Sequence, residues 1–416
     1  MAKASPQEVK ELKLEIEKNL TKPLEDVSIV SLVGLFVKYA YMAGASDVHL
    51  DPTEDRIRVR FRIDGMLHDI FNQIAISKEL HQEIISRIKV ISGLRTDEHF
   101  LPQDGRFKVE TDEKENVDVR VSIAPTYHGE NAVLRILAET QSFKLEDLGF
   151  SEDELKKVQK AIKKPYGMIL ANGPTGSGKS TTLYTILKQL NVPEVSIVTV
   201  EDPIEYSQDG LSQIQVDSKV GLTFASGLRS ILRQDPNVIM VGEIRDQETA
   251  GISVNAALTG HLVLSTLHTN DAATTFPRLL DMGVPPFLIA STVNIAMGQR
   301  LIRKICENCK VKREFTEAEM QGIVEMVPQV KDHNLVFYIG KGCDVCNGIG
   351  YKGRVGIREV IEVNREIRDL IMNRANADQI KEAAIKNGMR TMFQNGIEQA
   401  LDGVTSLEEI LRIIHE

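Results

Sequence analysis

The sequence has no run of apolar residues long enough to cross a lipid bilayer. Its longest such run, residues 29–37, contains Ser31 and Gly34 and stops at Lys38, whereas a spanning helix needs about 20 apolar residues. No signal peptide opens the chain either, because residues 1–22 alternate Glu and Lys around spaced apolar residues, the pattern of an amphipathic helix. We therefore predict a protein that has no transmembrane segment and remains in the cytoplasm.

The sequence also lacks an excess of positive charge. Lys and Arg together number 50, against 59 Asp and Glu, which gives a net charge of -9. A protein whose main partner is a nucleic-acid backbone needs a basic face, so this balance disfavours a nucleic-acid partner, although a local basic strip stays open. With 42% hydrophobic and 26% charged residues the composition is that of a soluble globular protein and not of a disordered one.

Changes in pattern along the 416 residues predict four parts. Residues 1–27 form an N-terminal helix and linker, and residues 28–137 form a small α/β domain. The polar stretch 138–149 is a second linker, and residues 150–416 form a larger domain. In that larger domain, short apolar runs alternate with helical or loop segments, which predicts a parallel sheet covered on both faces. These runs are residues 168–170, 196–200, 238–241 and 262–267.

A complete phosphate-binding loop lies between the first of these runs and a helical segment. Its glycines bracket a four-residue gap and are followed directly by Lys179 and Ser180. Backbone N–H groups at the helix start would surround the phosphates, Lys179 would reach the β- and γ-phosphates, and the Ser180 hydroxyl would ligate Mg²⁺. We therefore predict nucleoside triphosphate binding, and not merely a glycine-rich turn. The predicted binding residues here are Gly173, Pro174, Thr175, Gly176, Ser177, Gly178, Lys179, Ser180 and Thr181.

Two acidic residues follow apolar strands of the same domain. Glu201 opens the segment 201–205 after one strand, and Glu243 follows Gly242 after another. Open parallel sheets bind ligands beyond the carboxyl ends of their strands. Glu201 could orient or deprotonate the attacking water there, and Glu243 could hold Mg²⁺ through water. Taken alone, either pattern also fits a solvated acidic loop, so the phosphate loop carries the functional interpretation.

Two histidines, His261 and His268, stand at the two ends of the apolar strand 262–267. A histidine in such a position is more often packed and hydrogen-bonded than catalytic. Only the neighbouring motifs favour a functional role for this pair.

All four cysteines fall into two Cys-x-x-Cys pairs, Cys306 with Cys309 and Cys343 with Cys346. This spacing is typical of zinc ligands, and a cytoplasmic compartment disfavours disulfides. We predict a closed tetrahedral zinc site with a structural role; the alternative is two unrelated redox pairs. The zinc module then spans residues 300–354 and is followed by C-terminal helices in 355–416.

With these motifs in place, the chain resembles the secretion ATPases of the GspE/PulE/PilB group, which drive type II secretion and type IV pilus assembly. Besides the phosphate loop and the cysteines, the resemblance rests on residues 201–205, 232–236, 242–246 and 259–268. It covers nearly the whole chain. It implies an α/β protein in which a RecA-like P-loop motor domain is joined by a flexible linker to a smaller N-terminal α/β domain, with nucleotide between them.

The resemblance also implies roles for individual residues. Glu201 is the water-activating acid and Glu243 the Mg²⁺-linked acid, while Arg120 and Arg135 of the small domain reach the phosphates. Strand arginines are otherwise usually solvated, so this last assignment rests on the resemblance.

Further contacts to the nucleotide are implied within the motor domain. Arg229 and Arg233 contribute to ATP binding, and His261 and His268 sense or stabilise the nucleotide state.

The implied assembly is a homo-hexamer that uses ATP, Mg²⁺ and Zn²⁺ and acts on an inner-membrane platform protein from the cytoplasmic side. The tetracysteine module matches assembly ATPases and is missing from retraction ATPases, which favours pilus extension or secretion. Relatives usually carry a further N-terminal domain, for which 416 residues leave no room. The alternative function, a nucleotide-gated scaffold or switch with little turnover, is disfavoured by the intact Glu201 and Glu243.

Overall fold

The computed structural model describes residues 6–71, 74, 76–110, 116–137, 143–205, 207–314, 316 and 336–415. Two compact units make up the chain, Met1–Gln141 and Ser142–Glu416. The boundary lies inside the predicted linker 138–149, of which residues 138–142 are outside the described residues. Most of the predicted zinc module's middle, residues 317–335, also lies outside them. Among the helices of the described ranges, none combines the length and the apolar character that a membrane span requires.

The first unit is an α/β domain built on one antiparallel sheet. Its six strands lie in the order β3-β2-β1-β6-β5-β4. The elements are α1 (Pro6–Leu20), α2 (Ile29–Met42), β1 (Ala45–Pro52), β2 (Ile57–Ile63), β3 (Met66–Asp69), α3 (Lys78–Ile91), β4 (Gln103–Glu110), β5 (Asn116–Thr126) and β6 (Gly129–Leu137).

Apolar and polar residues alternate along the strands, and this alternation determines which face of the sheet is buried. In β2, Ile57, Val59 and Phe61 are buried, while the arginines between them lie half-buried on the other face. The same apolar core takes in α2, α3 and also α1, through Leu12 and Ile16. The helix predicted within residues 1–27 therefore belongs to this unit and is not a separate linker helix, because its apolar face is needed to cover α2.

The second unit contains a seven-stranded sheet. Its elements up to the cysteines are α4 (Glu152–Ile162), β7 (Gly167–Asn172), α5 (Lys179–Leu190), β8 (Ile197–Glu201), β9 (Leu211–Gln215), α6 (Phe224–Ile231), β10 (Val238–Val241), α7 (Gln247–Leu258), β11 (Leu262–Leu267), α8 (Thr275–Asp281), α9 (Pro286–Thr292) and β12 (Val293–Ile305). Those that follow are β13 (Lys310–Arg313), β14 (Phe337–Gly340), β15 (Tyr351–Glu362), α10 (Arg365–Met372), α11 (Ala377–Lys386), α12 (Met392–Leu401) and α13 (Leu407–His415).

The strands of this sheet lie in the order β15-β12-β7-β11-β10-β8-β9, and all neighbours are parallel except β12 and β15. Both faces are covered, as predicted, since successive residues of β7 enter different cores: Met168 and Leu170 join one, Ile169 and Ala171 the other. The sheet is larger than the four apolar runs indicate, because β9, β12 and β15 carry polar residues that hide them in the sequence.

The second half of the predicted linker belongs to this unit. Residues Leu145–Leu148 form a 3₁₀ turn, and both leucines at its ends are buried in the core under β7. At the other end of the chain, α12 and α13 pack on the outer ends of β12 and β15 in a small core of their own. This core sits beside the cysteines.

Candidate active site

The phosphate loop connects β7 to α5, and two of its glycines are required by its backbone. Gly173 has φ 143°, and a Cβ there would lie 2.4 Å from the Gln299 carbonyl oxygen. Gly178 has φ 86° and immediately precedes the helix in the left-handed conformation. Residues with a side chain strongly disfavour such angles. The loop therefore turns sharply and presents its backbone at the start of α5, which is the arrangement that phosphate binding needs.

Lys179 is held against this loop. Its Nζ donates to the carbonyl oxygens of Gly173 at 2.8 Å and Pro174 at 3.0 Å. Burial lowers the pKa of Lys179, and the charge of Glu243 opposes that effect. The ammonium group thus lies inside the loop, near an acid that the sequence assigned to the same site.

A residue that the sequence did not indicate supports the loop from the neighbouring strand. Gln299 of β12 accepts a hydrogen bond from Thr182 Oγ1 at 3.0 Å and donates to the Ser177 carbonyl oxygen at 2.9 Å. The Ser177 hydroxyl is buried and has no hydrogen-bond partner within the described part of the chain. A buried hydroxyl normally has a partner, so this atom and the glycine backbone around it suit a site for a polar ligand such as phosphate.

Glu201 ends β8 and is almost fully buried, with 4% of its surface exposed. Its Oε1 accepts from Thr199 Oγ1 at 2.6 Å and from Gln213 Nε2 at 3.2 Å, and its Oε2 accepts from the Tyr184 hydroxyl. Three donors from three elements therefore hold this carboxylate. None of them was predicted, although Tyr184 lies one helical turn after Ser180.

Glu243 follows β10, the strand between β8 and β11. Its Oε2 lies 2.7 Å from Arg245 Nε and 3.0 Å from His268 Nε2. His268 comes directly after β11, whose last residue pairs with the last residue of β7. Because these strands are parallel and in register, the phosphate loop, His268, Glu243 and Glu201 all lie at one edge of the sheet, where their carboxyl ends meet.

Of the other predicted residues, His261 is not brought to this edge within the chain. His261 precedes β11, at the opposite end of the strand, where its Nδ1 lies 2.9 Å from the Ala256 carbonyl oxygen. Arg229 forms an ion pair with Glu248, and Arg233 donates to the Arg229 carbonyl oxygen at 2.9 Å. Direct contact of His261 with nucleotide on the same chain is thus not supported by its position, since the prediction used sequence context without the direction of the strand. The nucleotide contacts of Arg229 and Arg233 stay predictions.

The two small-domain arginines lie on the first unit. Arg135 of β6 donates from Nε to Asp47 Oδ1 at 2.9 Å, and Asp47 is buried. Arg120 of β5 is directly opposite Arg135 in the strand register.

The four cysteines come together as predicted. Their sulfur atoms all lie within 4.8 Å of one another, and three of the pairs, 306 with 343, 309 with 346 and 343 with 346, are 3.8 Å apart. In tetrahedral thiolate coordination with bonds of about 2.3 Å, the sulfur atoms are about 3.8 Å apart. The cluster therefore fits a four-thiolate metal site and no disulfide is formed.

Backbone groups around the cluster favour thiolate at one position. Burial opposes ionisation, but donation from the N–H groups of Cys343 and Gly350 lowers the pKa of Cys346 to about 7. Burial raises the pKa of Cys309 to about 12. The chain turns tightly here, because a Cβ on Gly342 would lie 2.5 Å from the Gly348 carbonyl oxygen.

The strand order, the phosphate loop and the acids at the carboxyl edge define a RecA-like P-loop ATPase. Comparison with known proteins narrows the class: the family described as Type II/IV secretion system protein matches residues 23–412. The chain belongs to this family.

Individual relatives lie on both the pilus and the secretion sides of the family. The type IV pilus assembly ATPase PilB of Myxococcus xanthus is 44% identical over 94% of this chain and 69% of its own length. The type II secretion system protein E of Xanthomonas campestris pv. campestris is 45% identical over 94% of this chain and 68% of its own. Among solved structures, the ADP-bound pilus retraction motor PilT has a TM-score of 0.62 and 27% identity, covering 91% of this chain and 96% of its own.

Proposed function

We propose that this protein is a hexameric motor that hydrolyses ATP at the phosphate loop and powers the assembly of a type IV pilus or of a type II secretion pseudopilus. The observation that carries the proposal is the convergence of Lys179, Glu201 and Glu243 on one edge of the sheet. These are the three charged groups that a P-loop ATPase needs, a cation for the phosphates and two acids with different tasks.

The two acids differ in their surroundings, and this supports a division of labour. Within the described residues, the donors to Glu201 are uncharged, so its carboxylate is oriented without an ion pair there. The Glu243 carboxylate contacts Arg245 and His268 and interacts electrostatically with Lys179. We therefore assign water activation to Glu201 and the coordination of Mg²⁺, with Ser180, to Glu243. Bound Mg²⁺ would neutralise phosphate charge.

The cysteine cluster is assigned to zinc. Four thiolates without oxygen ligands suit Zn²⁺, and a closed set leaves no position for a substrate. The site would hold together the segments around β13, β14 and the start of β15, next to the core of α12 and α13. Its role is then structural.

Family membership supports the proposed partners. Relatives are named for both pilus assembly and secretion at nearly equal identity, 44% and 45%, so both systems stay within the proposal. We propose a homo-hexamer at the cytoplasmic face of the inner membrane that acts on a platform protein. Arg120 and Arg135 would reach the γ-phosphate from the small domain, and His268 would respond to the nucleotide through Glu243.

Steady-state phosphate release from the full chain tests the enzymatic part. Wild-type protein with ATP and Mg²⁺ should release phosphate continuously, and Lys179→Ala should reduce the rate to background. A wild-type protein that binds ATP but releases no more phosphate than Lys179→Ala would instead favour the nucleotide-gated scaffold.

A further inference from the structure

We propose that Tyr184 and Gln213 are positioning residues for hydrolysis, which hold the Glu201 carboxylate in its working orientation. This inference rests on the proposed role of Glu201 as the water-activating acid. The geometry points to it because each oxygen of the Glu201 carboxylate accepts a hydrogen bond from a different neighbouring element. Tyr184 belongs to α5, the helix of the phosphate loop, and Gln213 belongs to the edge strand β9.

The hydrogen bonds form a chain with a single direction. The backbone N–H of Gln208 donates to Gln213 Oε1 at 2.9 Å. With its oxygen so engaged, the Gln213 amide turns Nε2 toward Tyr184 Oη at 3.1 Å and Glu201 Oε1 at 3.2 Å. The Tyr184 hydroxyl accepts from Gln213, and its own hydrogen is donated to Glu201 Oε2. Each donor in this chain is therefore oriented by the one before it.

Strand pairing places two of the three donors to Glu201 next to each other. In the parallel register of β8 and β9, Gln213 is the partner of Thr199, which is itself the third donor to Glu201. Tyr184 is buried, with 3% of its surface exposed, so its ring has little freedom to move. Tyr184 thus links the position of the phosphate-loop helix to the direction of the Glu201 carboxylate.

The described hydrogen bonds of Glu201 go to uncharged groups alone. Charged residues on and beside the elements around it include Asp202 after β8, Lys179 and Lys188 on α5, Asp209, Asp217 and Lys219 beside β9, Arg229 on α6, and Glu243 and Arg245 after β10. Loss of a neutral donor should therefore change the orientation of the Glu201 carboxylate without removing an ion pair.

Tyr184→Phe tests the proposal in the full-length chain, because it removes one hydroxyl and keeps the ring. We expect kcat for ATP hydrolysis to fall about tenfold or more, with KM for ATP within about twofold. This split between kcat and KM distinguishes a misoriented acid from a general loss of structure, which would also weaken ATP binding. Gln213→Glu, which replaces the donor to Glu201 Oε1 by an acceptor, should lower kcat in the same way.

Tyr351→Phe is the matched control. The Tyr351 hydroxyl is hydrogen-bonded to Ser406 Oγ at 2.7 Å, beside α13 and away from the phosphate loop. Its loss should leave kcat and KM unchanged, and the thermal midpoints of both variants show whether they fold alike. A Tyr184→Phe enzyme with wild-type or faster turnover would overturn the positioning role.

Glu201→Gln distinguishes a failure of the positioning role from a failure of the proposed role of Glu201 in hydrolysis. If Glu201→Gln is inactive while Tyr184→Phe behaves as wild type, only the positioning role fails. If Glu201→Gln keeps near-normal turnover, the assignment of the base fails and the inference falls with it.

Discussion

Arg120 and Arg135 lie directly opposite each other on the neighbouring antiparallel strands β5 and β6. Arg106 continues the same row on β4, and Asp47 and Arg62 continue it on β1 and β2. Four guanidinium groups and one buried carboxylate thus cross five strands of the sheet. This row thus sets positive charges side by side on one face of the sheet, and Arg106 also pairs with Asp118 there.

We predict that Arg120→Ala and Arg135→Ala each lower ATP turnover strongly. Arginines that meet the transferred phosphoryl group contribute about 10³- to 10⁵-fold to the rate. Nucleotide affinity and zinc content should change much less. Arg135→Ala should also cost some stability, because Asp47 loses the nearer of its two described arginine partners.

Arg58→Ala is the control for these two, since Arg58 lies on β2 and pairs with Asp69 at 3.2 Å. Exposed pairs of this kind contribute little, about 0 to 1 kcal/mol. Equal and mild losses of turnover in all three variants would mean that the first unit does not take part in hydrolysis.

Lys179→Ala should abolish both tight ATP binding and hydrolysis. The variant removes the charge that meets the β- and γ-phosphates and leaves the Gly173 and Pro174 carbonyl oxygens without their donor. We expect turnover at least about 100-fold below wild type. Fluorescent nucleotide binding and phosphate release measure the two effects separately, and retained high-affinity binding would show that the loop does not use this lysine for phosphate.

About one zinc ion per chain should be found in protein prepared without chelator. Structural zinc sites supply on the order of 10 kcal/mol of apparent binding energy, so chelation or Cys343→Ser should unfold the segments around the cluster locally. Hydrogen exchange should then increase in β13, β14 and α13 while α2 and β1 stay protected. Elemental analysis that finds no stoichiometric zinc would contradict the assignment of the four cysteines to a zinc site.

The first unit should lose stability in mildly acidic solution because of His81. Burial lowers the pKa of this imidazole, an effect that the hydrogen bond to the Glu130 carbonyl oxygen at 2.8 Å partly offsets. Below the ordinary histidine pKa of about 6.5, the unfolded chain therefore binds a proton that the folded unit rejects, and the free energy of unfolding falls as the pH falls. Exchange of α3, corrected for its intrinsic pH dependence, should rise between pH 7 and 5.5 in wild type.

His81→Gln should flatten that dependence, since glutamine can still donate to the carbonyl oxygen and does not titrate. Lys89, which is also buried and lies 2.7 Å from Glu130 Oε1, is unchanged in the variant. An equally steep response in His81→Gln would assign the effect to other groups.

Much of this fold could be predicted because its buried strands are recognisable in the sequence as short apolar runs. β7, β10 and β11 are almost wholly apolar, as central parallel strands must be, and each leads into a motif with its own signature. β12 was hidden because its outer half carries Gln299, Arg300, Arg303 and Lys304. With that strand unseen, the support that Gln299 gives to the phosphate loop could not be predicted.

The side-chain contacts of the candidate site were likewise predictable only in part. The cysteines were recognisable because metal ligands recur at fixed spacing. Tyr184 and Gln213 are 29 residues apart and meet at Glu201 only through the parallel pairing of β8 with β9. A pairing between an apolar strand and a half-exposed edge strand leaves no local signal, so the surroundings of the acid had to come from the structure.

The most direct test of the proposed ATP hydrolysis is phosphate release by Glu201→Gln measured beside its ATP affinity. The substitution keeps the size of the side chain and its acceptor for Tyr184 or Thr199, but removes the charge that would take a proton from water. We predict ATP affinity within a few-fold of wild type and turnover reduced by about 10²- to 10⁴-fold. Near-normal turnover would contradict the assignment of water activation to Glu201. Loss of ATP binding would mean that Glu201 contributes to binding ATP and not to its hydrolysis.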